Sequence, residues 1–262
     1  FLELTPLVEP LSLDEAFLDI SIQSSWESVG NIARRLKIKV KEQTGLVISI
    51  GGGSSKTVAK VSSQLSKPNG LLLIKPGEEQ VFLAPLGVGI LSGVGPKTAE
   101  VLHGQNITTL GDLSASANSW LRQAFGKRGP ELKERATGLD HSKVTPHRET
   151  KSVSAEVTMA QDVGGEVEIA ERIEQLSLGV SSRLQRNKLA GKTITIKLRL
   201  ADFTTITRQR TLPSPTSDPE VITTVACDLL RQELKPGHSF RLVGVGVTGF
   251  QGLQQLSLFP LL

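Results

Sequence analysis

The order of predicted strands and helices between residues 151 and 250 is the feature that most restricts the fold of this chain. Short segments rich in β-branched residues are interrupted by two longer segments of helical periodicity. The predicted strands cover 151–159, 192–201, 204–212 and 241–250, and the helices cover 166–187 and 218–234. This β-α-β-β-α-β order is typical of a split, ferredoxin-like sandwich.

The predicted strand 192–201 has one apolar and one polar face. Its even-numbered positions from Ile194 onward are apolar, and helices should cover that face. The other face would stay open and carries Thr193, Thr195, Lys197 and Arg199. Arg208 and Arg210 lie on the neighbouring predicted strand, whose irregular alternation leaves their face unassigned. A basic open sheet suits a DNA duplex, but a solvated face with edge charges has the same spacing, so both interpretations stay open.

Residues 1–82 combine strands and helices in an α/β pattern. Strands are predicted at 16–20, 46–50 and 71–74, and helices at 26–44 and from Ser54 or Ser55 to 65. Gly45 is expected to end the first helix, and the three glycines at 51–53 are expected to break the chain. The segment GGGSSKTVAK at 51–60 lacks the spacing of a P-loop, which excludes a P-loop NTPase.

Two adjacent carboxylates, Asp14 and Glu15, precede the predicted strand 16–20. Neighbouring side chains in a strand point to opposite faces, but Pro10 and Ser12 favour a turn at this point. Carboxylates at the end of a strand are ligands that a divalent cation prefers. A surface turn with solvated acids is the alternative interpretation.

Residues 83–141 are predicted to be helical, with frequent glycine. The turn at 91–97 is similar to a helix-hairpin-helix, because its glycines allow backbone N–H groups to approach a phosphate closely. A helix beginning at Pro96 and the charge of Lys97 would both attract an anion. A second basic turn at 125–130 is a weaker candidate, and an ordinary turn is the alternative for each. The candidate DNA-binding residues are Gly93, Gly95, Lys97, Gly126, Lys127 and Gly129.

Composition narrows the class of protein. The single cysteine, Cys227, excludes an internal disulfide and a cysteine-based zinc site, and a reducing cytoplasmic location fits. The sequence has neither an apolar run long enough to span a membrane nor a signal-peptide pattern. A net charge of +4 and a pI near 9.2 permit a polyanionic partner without requiring one.

Several motifs together resemble one family. The segment SLDEAFLD at 12–19 is similar to the catalytic motif of the Y family of translesion DNA polymerases, on its bacterial polymerase IV branch. The segments SKTVAK at 55–60, KPNG at 67–70 and LRLADFTT at 198–205 continue the resemblance, which covers almost the whole chain. It implies an α+β multidomain fold. The implied domains are a partial palm at 1–82, a helical thumb at 83–141, a linker at 142–150, a little finger at 151–250 and a tail at 251–262.

The resemblance also implies an activity. Asp14 and Glu15 would bind catalytic metal, as part of a site for two Mg²⁺ ions, and Lys67 would reach the triphosphate of the incoming dNTP. The reaction would be template-directed nucleotidyl transfer to a DNA primer in translesion synthesis and DNA repair. The family needs a further metal-binding aspartate and a fingers domain, both upstream of Phe1. We therefore expect this chain to bind primer-template DNA and to extend primers poorly. A non-catalytic adaptor that binds DNA and a sliding clamp is the alternative.

The last residues carry a second resemblance. The segment QLSLF at 255–259 is similar to the peptide by which bacterial polymerases bind the sliding clamp. Leu256, Leu258 and Phe259 would enter an apolar pocket, and Gln255 would make polar contacts. An apolar tail that packs on its own domain is the alternative. The expected partners are primer-template DNA, dNTP and the clamp, with the chain a monomer.

Overall fold

A computed structural model describes residues 1–21, 25–147, 149–234 and 238–250. The chain divides into two compact units, residues 1–148 and 149–262, and the division falls inside the predicted linker 142–150. Within the described ranges, no helix is both long and apolar enough to cross a membrane.

The first unit begins with two short pairs of strands. β1 (Val8–Pro10) and β2 (Ala16–Leu18) form an antiparallel hairpin, and β3 (Ile50–Gly52) and β4 (Leu71–Leu73) form a parallel pair. The helices α1 (Trp26–Thr44), α2 (Lys56–Leu65) and α3 (Glu79–Leu83) connect and follow them. The predicted bounds of α1 are confirmed, and Gly45 ends it in a left-handed conformation with φ of 73°.

The prediction of a strand at 46–50 followed by a glycine break was wrong. Leu46 and Val47 are exposed, and the strand is formed by Ile50–Gly52 itself. The reason is the close approach of α2. A Cβ added to Gly51 would lie 2.0 Å from Ser63 N and 2.2 Å from Ala59 O. Only glycine allows the helix backbone this near to the strand.

The rest of the first unit is helical. A 3₁₀ turn at Val88–Ile90 is followed by α4 (Pro96–His103), α5 (Leu110–Ala115), α6 (Asn118–Phe125) and α7 (Arg128–Ala136). Val58 and Val61 of α2 share one buried cluster with Leu102, Leu113 and Leu121 of these helices. The core therefore crosses residues 82 and 83, where the sequence suggested a change of domain.

The first half of the predicted linker is held against the first unit. The segment 138–145 follows the first turn of α2 and the hairpin, so it is not a free connection. Its contacts are Ser55 Oγ to Gly138 O at 2.7 Å, Thr57 Oγ1 to Asp140 Oδ2 at 2.8 Å, Lys56 Nζ to Lys143 O at 3.2 Å and Thr145 N to Glu9 Oε2 at 2.9 Å.

The second unit has four strands and two helices in the order that the sequence predicted. They are β5 (Ser152–Val163), α8 (Glu166–Arg186), β6 (Gly191–Leu200), β7 (Thr205–Thr216), α9 (Pro219–Arg231) and β8 (Phe240–Phe250). The antiparallel sheet has the order β5-β8-β6-β7. The last strand thus lies between the first two, whereas a ferredoxin-like sheet has its third strand there. The ferredoxin-like prediction is corrected on this point.

One face of this sheet forms the core of the second unit. Ile194, Ile196 and Leu198 of β6 are fully buried, together with Val243, Val245 and Val247 of β8. These residues pack against Ile173 and Val180 of α8 and Ala226 of α9. The opposite face has no helix over it within the described part of the unit, because both helices cover the apolar side.

Candidate functional site

The two candidate carboxylates lie in the loop of the β1–β2 hairpin. Ser12, Leu13 and Asp14 form a bend, and Glu15 closes the loop by accepting hydrogen bonds at its carbonyl oxygen from Leu11 N at 2.8 Å and Ser12 N at 3.3 Å. The strict alternation of an extended strand therefore does not apply to these two residues. The turn predicted before the strand is confirmed.

Hydrogen bonds and nearby lysines favour the ionised form of this loop. The Ser12 hydroxyl donates to Asp14 Oδ1 at 2.6 Å and holds the pKa of Asp14 below its usual value. The charges of Lys67 and Lys60 act in the same direction. Asp14 is therefore a carboxylate at neutral pH, and Lys67 is near enough to act on it.

Lys60 is a site residue that the sequence reasoning did not single out. Its Nζ donates to Glu15 Oε2 at 2.9 Å. One turn earlier on the same face of α2, Lys56 Nζ donates to Glu9 Oε2 at 2.6 Å. A pair of lysines four apart in a predicted helix was the available signal, because such residues share one face. Their partners, Glu9 and Glu15, come from the hairpin and could not be assigned from spacing.

The acidic loop carries oxygen ligands of the kind that a divalent cation binds. Carboxylate oxygens suit Mg²⁺, which often takes one or two of them and completes its shell with water and phosphate. In the described portion of the chain, no group of three or more His, Cys, Asp or Glu residues could hold a metal ion. Beside Asp14 and Glu15, the described residues thus offer no further acidic, histidine or cysteine ligand for such an ion.

The two predicted phosphate-binding turns of the helical region come together. Gly93 has φ of 95°, Gly95 caps α4, and Pro96 and Lys97 begin that helix. Arg128 Nη2, at the start of α7, donates to Gly93 O at 3.4 Å. A cleft of about 260 Å³ lies beside this contact and is lined by Gly93, Thr98, Ala124, Phe125, Arg128 and Leu132. The element before the first turn is the short 3₁₀ turn, so only α4 is a full helix of the expected hairpin.

Gly129 has a different role from the predicted one. It is buried in α7, and an added Cβ would lie 2.2 Å from Leu121 O of α6. This glycine allows two helices to pack closely and is not at the surface. Gly126, with φ of 61°, and Lys127, which precedes α7, remain exposed.

The sheet of the second unit separates its predicted basic residues. Lys197 and Arg199 lie on the open face, where Lys197 Nζ donates to Glu156 Oε2 at 2.8 Å and Arg199 Nε to Thr205 Oγ1 at 3.2 Å. Arg208 and Arg210 pair in register with Ile196 and Ile194, which places them on the helix-covered face.

Acidic residues of α9 and of the turn after it bind both of those arginines. Arg208 Nε donates to Glu233 Oε1 at 2.6 Å, just after α9, and Arg210 Nη1 donates to Asp228 Oδ2 at 3.0 Å. Within the described residues, the open face is therefore less basic than the sequence suggested. On β8 this face carries Gly244, which is buried beside Glu156 and Lys197, and the half-buried Gly246.

The predicted clamp-binding residues Gln255, Leu256, Leu258 and Phe259 lie outside the described residues.

Comparison with known proteins gives consistent matches. Residues 1–64 match the model of the impB/mucB/samB family, and residues 150–258 match the model of the impB/mucB/samB family C-terminal domain. The chain is 40% identical to DNA polymerase IV of Streptomyces coelicolor over 98% of its own length and 54% of that protein. It is 38% identical to DNA polymerase IV of Methanoculleus marisnigri over 94% of the chain and 68% of the relative. It is 39% identical to DNA polymerase IV of Alkalilimnicola ehrlichii over 99% of the chain and 74% of the relative.

Solved structures share the fold. A Y-family DNA polymerase chimera of Dbh and Dpo4 superposes with a TM-score of 0.84 at 24% identity, covering 95% of this chain and 72% of the chimera. The insertion ternary complex of Dbh DNA polymerase gives a TM-score of 0.60 at 23% identity. The match covers 95% of this chain and 72% of the Dbh chain. The chain thus spans about half to three quarters of the proteins it matches.

Proposed function

This chain belongs to the Y family of DNA polymerases, on the polymerase IV branch, and we propose that it serves template-directed nucleotidyl transfer to a DNA primer in translesion synthesis. In this proposal the first unit contributes two metal-binding carboxylates and a triphosphate-binding lysine. Each unit also contributes a surface that binds the DNA backbone.

The arrangement of Asp14, Glu15, Lys60 and Lys67 carries the proposal. Two carboxylates in an exposed loop face two lysines from α2 and the turn that follows it. Asp14 and Glu15 are the residues that would hold Mg²⁺, which supplies positive charge to phosphate oxygens when bound. Lys67 would contact the triphosphate, and its positive charge would stabilise the negative charge that develops on the leaving phosphate oxygens.

Metal binding by the loop can be measured without turnover. Mn²⁺ takes the same oxygen ligands as Mg²⁺, so its paramagnetic broadening of amide signals near 12–16 reports occupancy directly. We expect broadening in the wild-type chain and its loss in Asp14→Asn. Asp19→Asn is the matched control, since Asp19 lies at the other end of β2. Equal broadening in wild type and Asp14→Asn would remove the metal-binding role.

DNA binding is assigned to exposed residues that the structure keeps accessible. In the first unit these are Gly93, Gly95, Lys97, Gly126 and Lys127, and the nearby Arg128 supports the first turn. In the second unit Lys197 and Arg199 are the assigned DNA-binding residues of the open face. Arg208, Arg210 and Gly129 are left out of this set because of their ion pairs and burial. Contacts of this kind position a duplex without selecting its sequence.

A salt titration of primer-template binding tests the DNA surface. Each lysine that neutralises a phosphate contributes about 0.9 to the slope of log affinity against log salt. We expect Lys97→Ala and Lys127→Ala each to reduce the slope by about that amount. The exposed Lys75, which lies in a turn before α3, gives the control variant Lys75→Ala. A shallow slope for the wild-type chain would contradict backbone binding.

An adaptor that binds DNA and a sliding clamp without catalysis is the second candidate. It is favoured by the small donor set, because both carboxylates already have protein partners in Ser12 and Lys60. Primer extension with Mg²⁺ tests this candidate: robust extension by the chain would exclude the adaptor and would also contradict the expectation that this chain alone extends primers poorly. Clamp binding is tested with a peptide of residues 251–262. Leu258→Ala together with Phe259→Ala should abolish its binding, and unchanged binding would reject this role for the tail. The monomeric state and the cytoplasmic location remain predictions.

A further inference from the structure

Lys37, in the second half of α1, has its ammonium group among three oxygen acceptors. Its Nζ donates to Ile48 O at 2.5 Å, Asn69 Oδ1 at 2.8 Å and Gly70 O at 3.1 Å. In the described part of the chain it has no carboxylate partner. The three acceptors use all three N–H donors of the ammonium group, so Lys37 is not available to bind a phosphate itself.

Two of these acceptors belong to the turn that carries Lys67. The turn runs from Lys67 to Gly70 and connects α2 to β4. Asn69 has φ of 57°, in the left-handed region that asparagine adopts more readily than most other non-glycine residues. Its side-chain oxygen binds Lys37, and this contact joins the turn to a helix that is remote in sequence.

The turn is also attached to the start of β3. Gly70 O accepts from Ile50 N at 3.1 Å, and Gly70 N donates to Ser49 Oγ at 3.3 Å. A Cβ added to Gly70 would lie 1.9 Å from Ser66 O, so the end of α2 packs directly on the turn. Lys37 joins these pieces, because it binds the segment before β3 and the turn before β4 at once.

We propose that Lys37 is a positioning residue for nucleotide binding: its ammonium group fixes the 67–70 turn and thereby directs Lys67 toward the triphosphate site beside Asp14. This inference rests on the proposed function, in which Lys67 contacts the triphosphate. Lys37 would act through the turn, because its three donors are already used by protein oxygens. A neutral side chain at this position would leave two backbone carbonyls and the Asn69 amide without their shared donor.

The test combines amide exchange with nucleotide affinity. Lys37→Met should increase hydrogen exchange at the Ile50 amide about tenfold and weaken binding of Mg²⁺-dATP to the chain about tenfold, each corresponding to about 1.4 kcal/mol. Lys37→Arg keeps the charge and the donors. It should restore most of the exchange protection of the Ile50 amide and most of the Mg²⁺-dATP affinity. Lys39→Met is the matched control, since Lys39 lies on the same helix and pairs with the exposed Glu3. It should change neither measurement.

A second variant keeps the test decisive if Lys37→Met unfolds the first unit. Asn69→Gly removes one acceptor of Lys37 while tolerating a positive φ. It should weaken Mg²⁺-dATP binding about threefold through that one lost contact. Unchanged exchange and affinity in both Lys37→Met and Asn69→Gly would overturn the inference.

Lys67→Ala distinguishes failure of this inference from failure of the proposed function. If Lys67→Ala leaves the Mg²⁺-dATP affinity unchanged, or if the wild-type chain shows no affinity, the triphosphate role of Lys67 is rejected and the positioning role falls with it. If Lys67→Ala weakens binding but Lys37→Met does not, only the positioning role of Lys37 is rejected. A loss of affinity in Lys37→Met that Lys37→Arg does not restore would also count against it, because the role requires the charge and the donors.

Discussion

The ion pair between Glu9 and Lys56 should be among the most sensitive positions in the first unit. Glu9 is 1% exposed and Lys56 15%, and their charged atoms are 2.6 Å apart. Lys56 also lies 5.0 Å from the centre of the Phe17 ring. Glu9→Ala would leave the Lys56 ammonium group buried without its carboxylate. Breaking a buried pair in this way costs about 3–5 kcal/mol.

The expected loss of stability in Glu9→Ala can be compared with the total stability of the unit. A native domain is stable by about 5–15 kcal/mol, so Glu9→Ala should remove a large fraction of it. The hydrogen bond from Thr145 N to Glu9 Oε2 is lost as well, and its contribution is included in this range. With a urea m-value of about 2 kcal/mol per molar, the midpoint should fall by about 2 M.

Tryptophan fluorescence reports this change selectively. Trp26 and Trp120 are the only tryptophans of the chain, and both lie in the first unit. The unfolding curve therefore follows residues 1–148 without interference from the second unit. Glu3→Ala, which removes a highly exposed partner of Lys39, should leave the midpoint unchanged.

A double-mutant cycle decides whether the pair itself is responsible. Lys56→Met alone should also destabilise, because it leaves the buried Glu9 carboxylate without that partner. The double variant Glu9→Ala with Lys56→Met should lose less stability than the sum of the two single losses, by a coupling of about 2 kcal/mol or more. A loss below about 1 kcal/mol for Glu9→Ala, or an additive cycle, would refute the reasoning.

Three other predictions follow from the same structure. Gly51→Ala should destabilise the first unit by about 1–3 kcal/mol because its Cβ would overlap the α2 backbone, whereas Gly89→Ala, with open space around it, should have little effect in the same urea assay. Lys197→Ala should weaken primer-template binding and reduce its salt slope, while Arg210→Ala, on the helix-covered face, should leave both unchanged. Hydrogen bonds from the Thr109 and Thr108 backbone and hydroxyl groups lower the pKa of Asp112 to about 2. The capping contribution of Asp112 to α5 should therefore persist as pH falls through 4 and disappear near pH 2, which NMR titration of its carboxyl group can measure; a carboxyl pKa near 4 would contradict it.

Local patterns predicted well what local interactions determine. The helix Trp26–Thr44, its glycine end and the Ser55 cap of α2 follow from periodicity and capping chemistry within a few residues. The turn that holds Asp14 and Glu15 follows from the residues just before it. Motifs within single segments also identified the family, and the comparisons confirm that identification.

Sequence predictions failed or stayed open where the conformation or face of a residue depends on a distant part of the chain. Gly51 was interpreted as a chain break because its reason, the backbone of α2, is not visible in the segment itself. The face of Arg210 stayed unassigned because only the pairing register with Ile194 determines it. The order of the four strands likewise depends on β8, which is remote from both of its neighbours.

By itself, then, the sequence determined the helix Trp26–Thr44 and its glycine end, the acidic loop and the family. The partners of that loop were decided only by the tertiary structure. Lys60 meets Glu15 and Lys37 meets Asn69 across long stretches of chain. Helical and strand periodicities describe which residues share a face. They do not describe which face of another element comes to lie against it, because that choice is made by the packing of the whole unit.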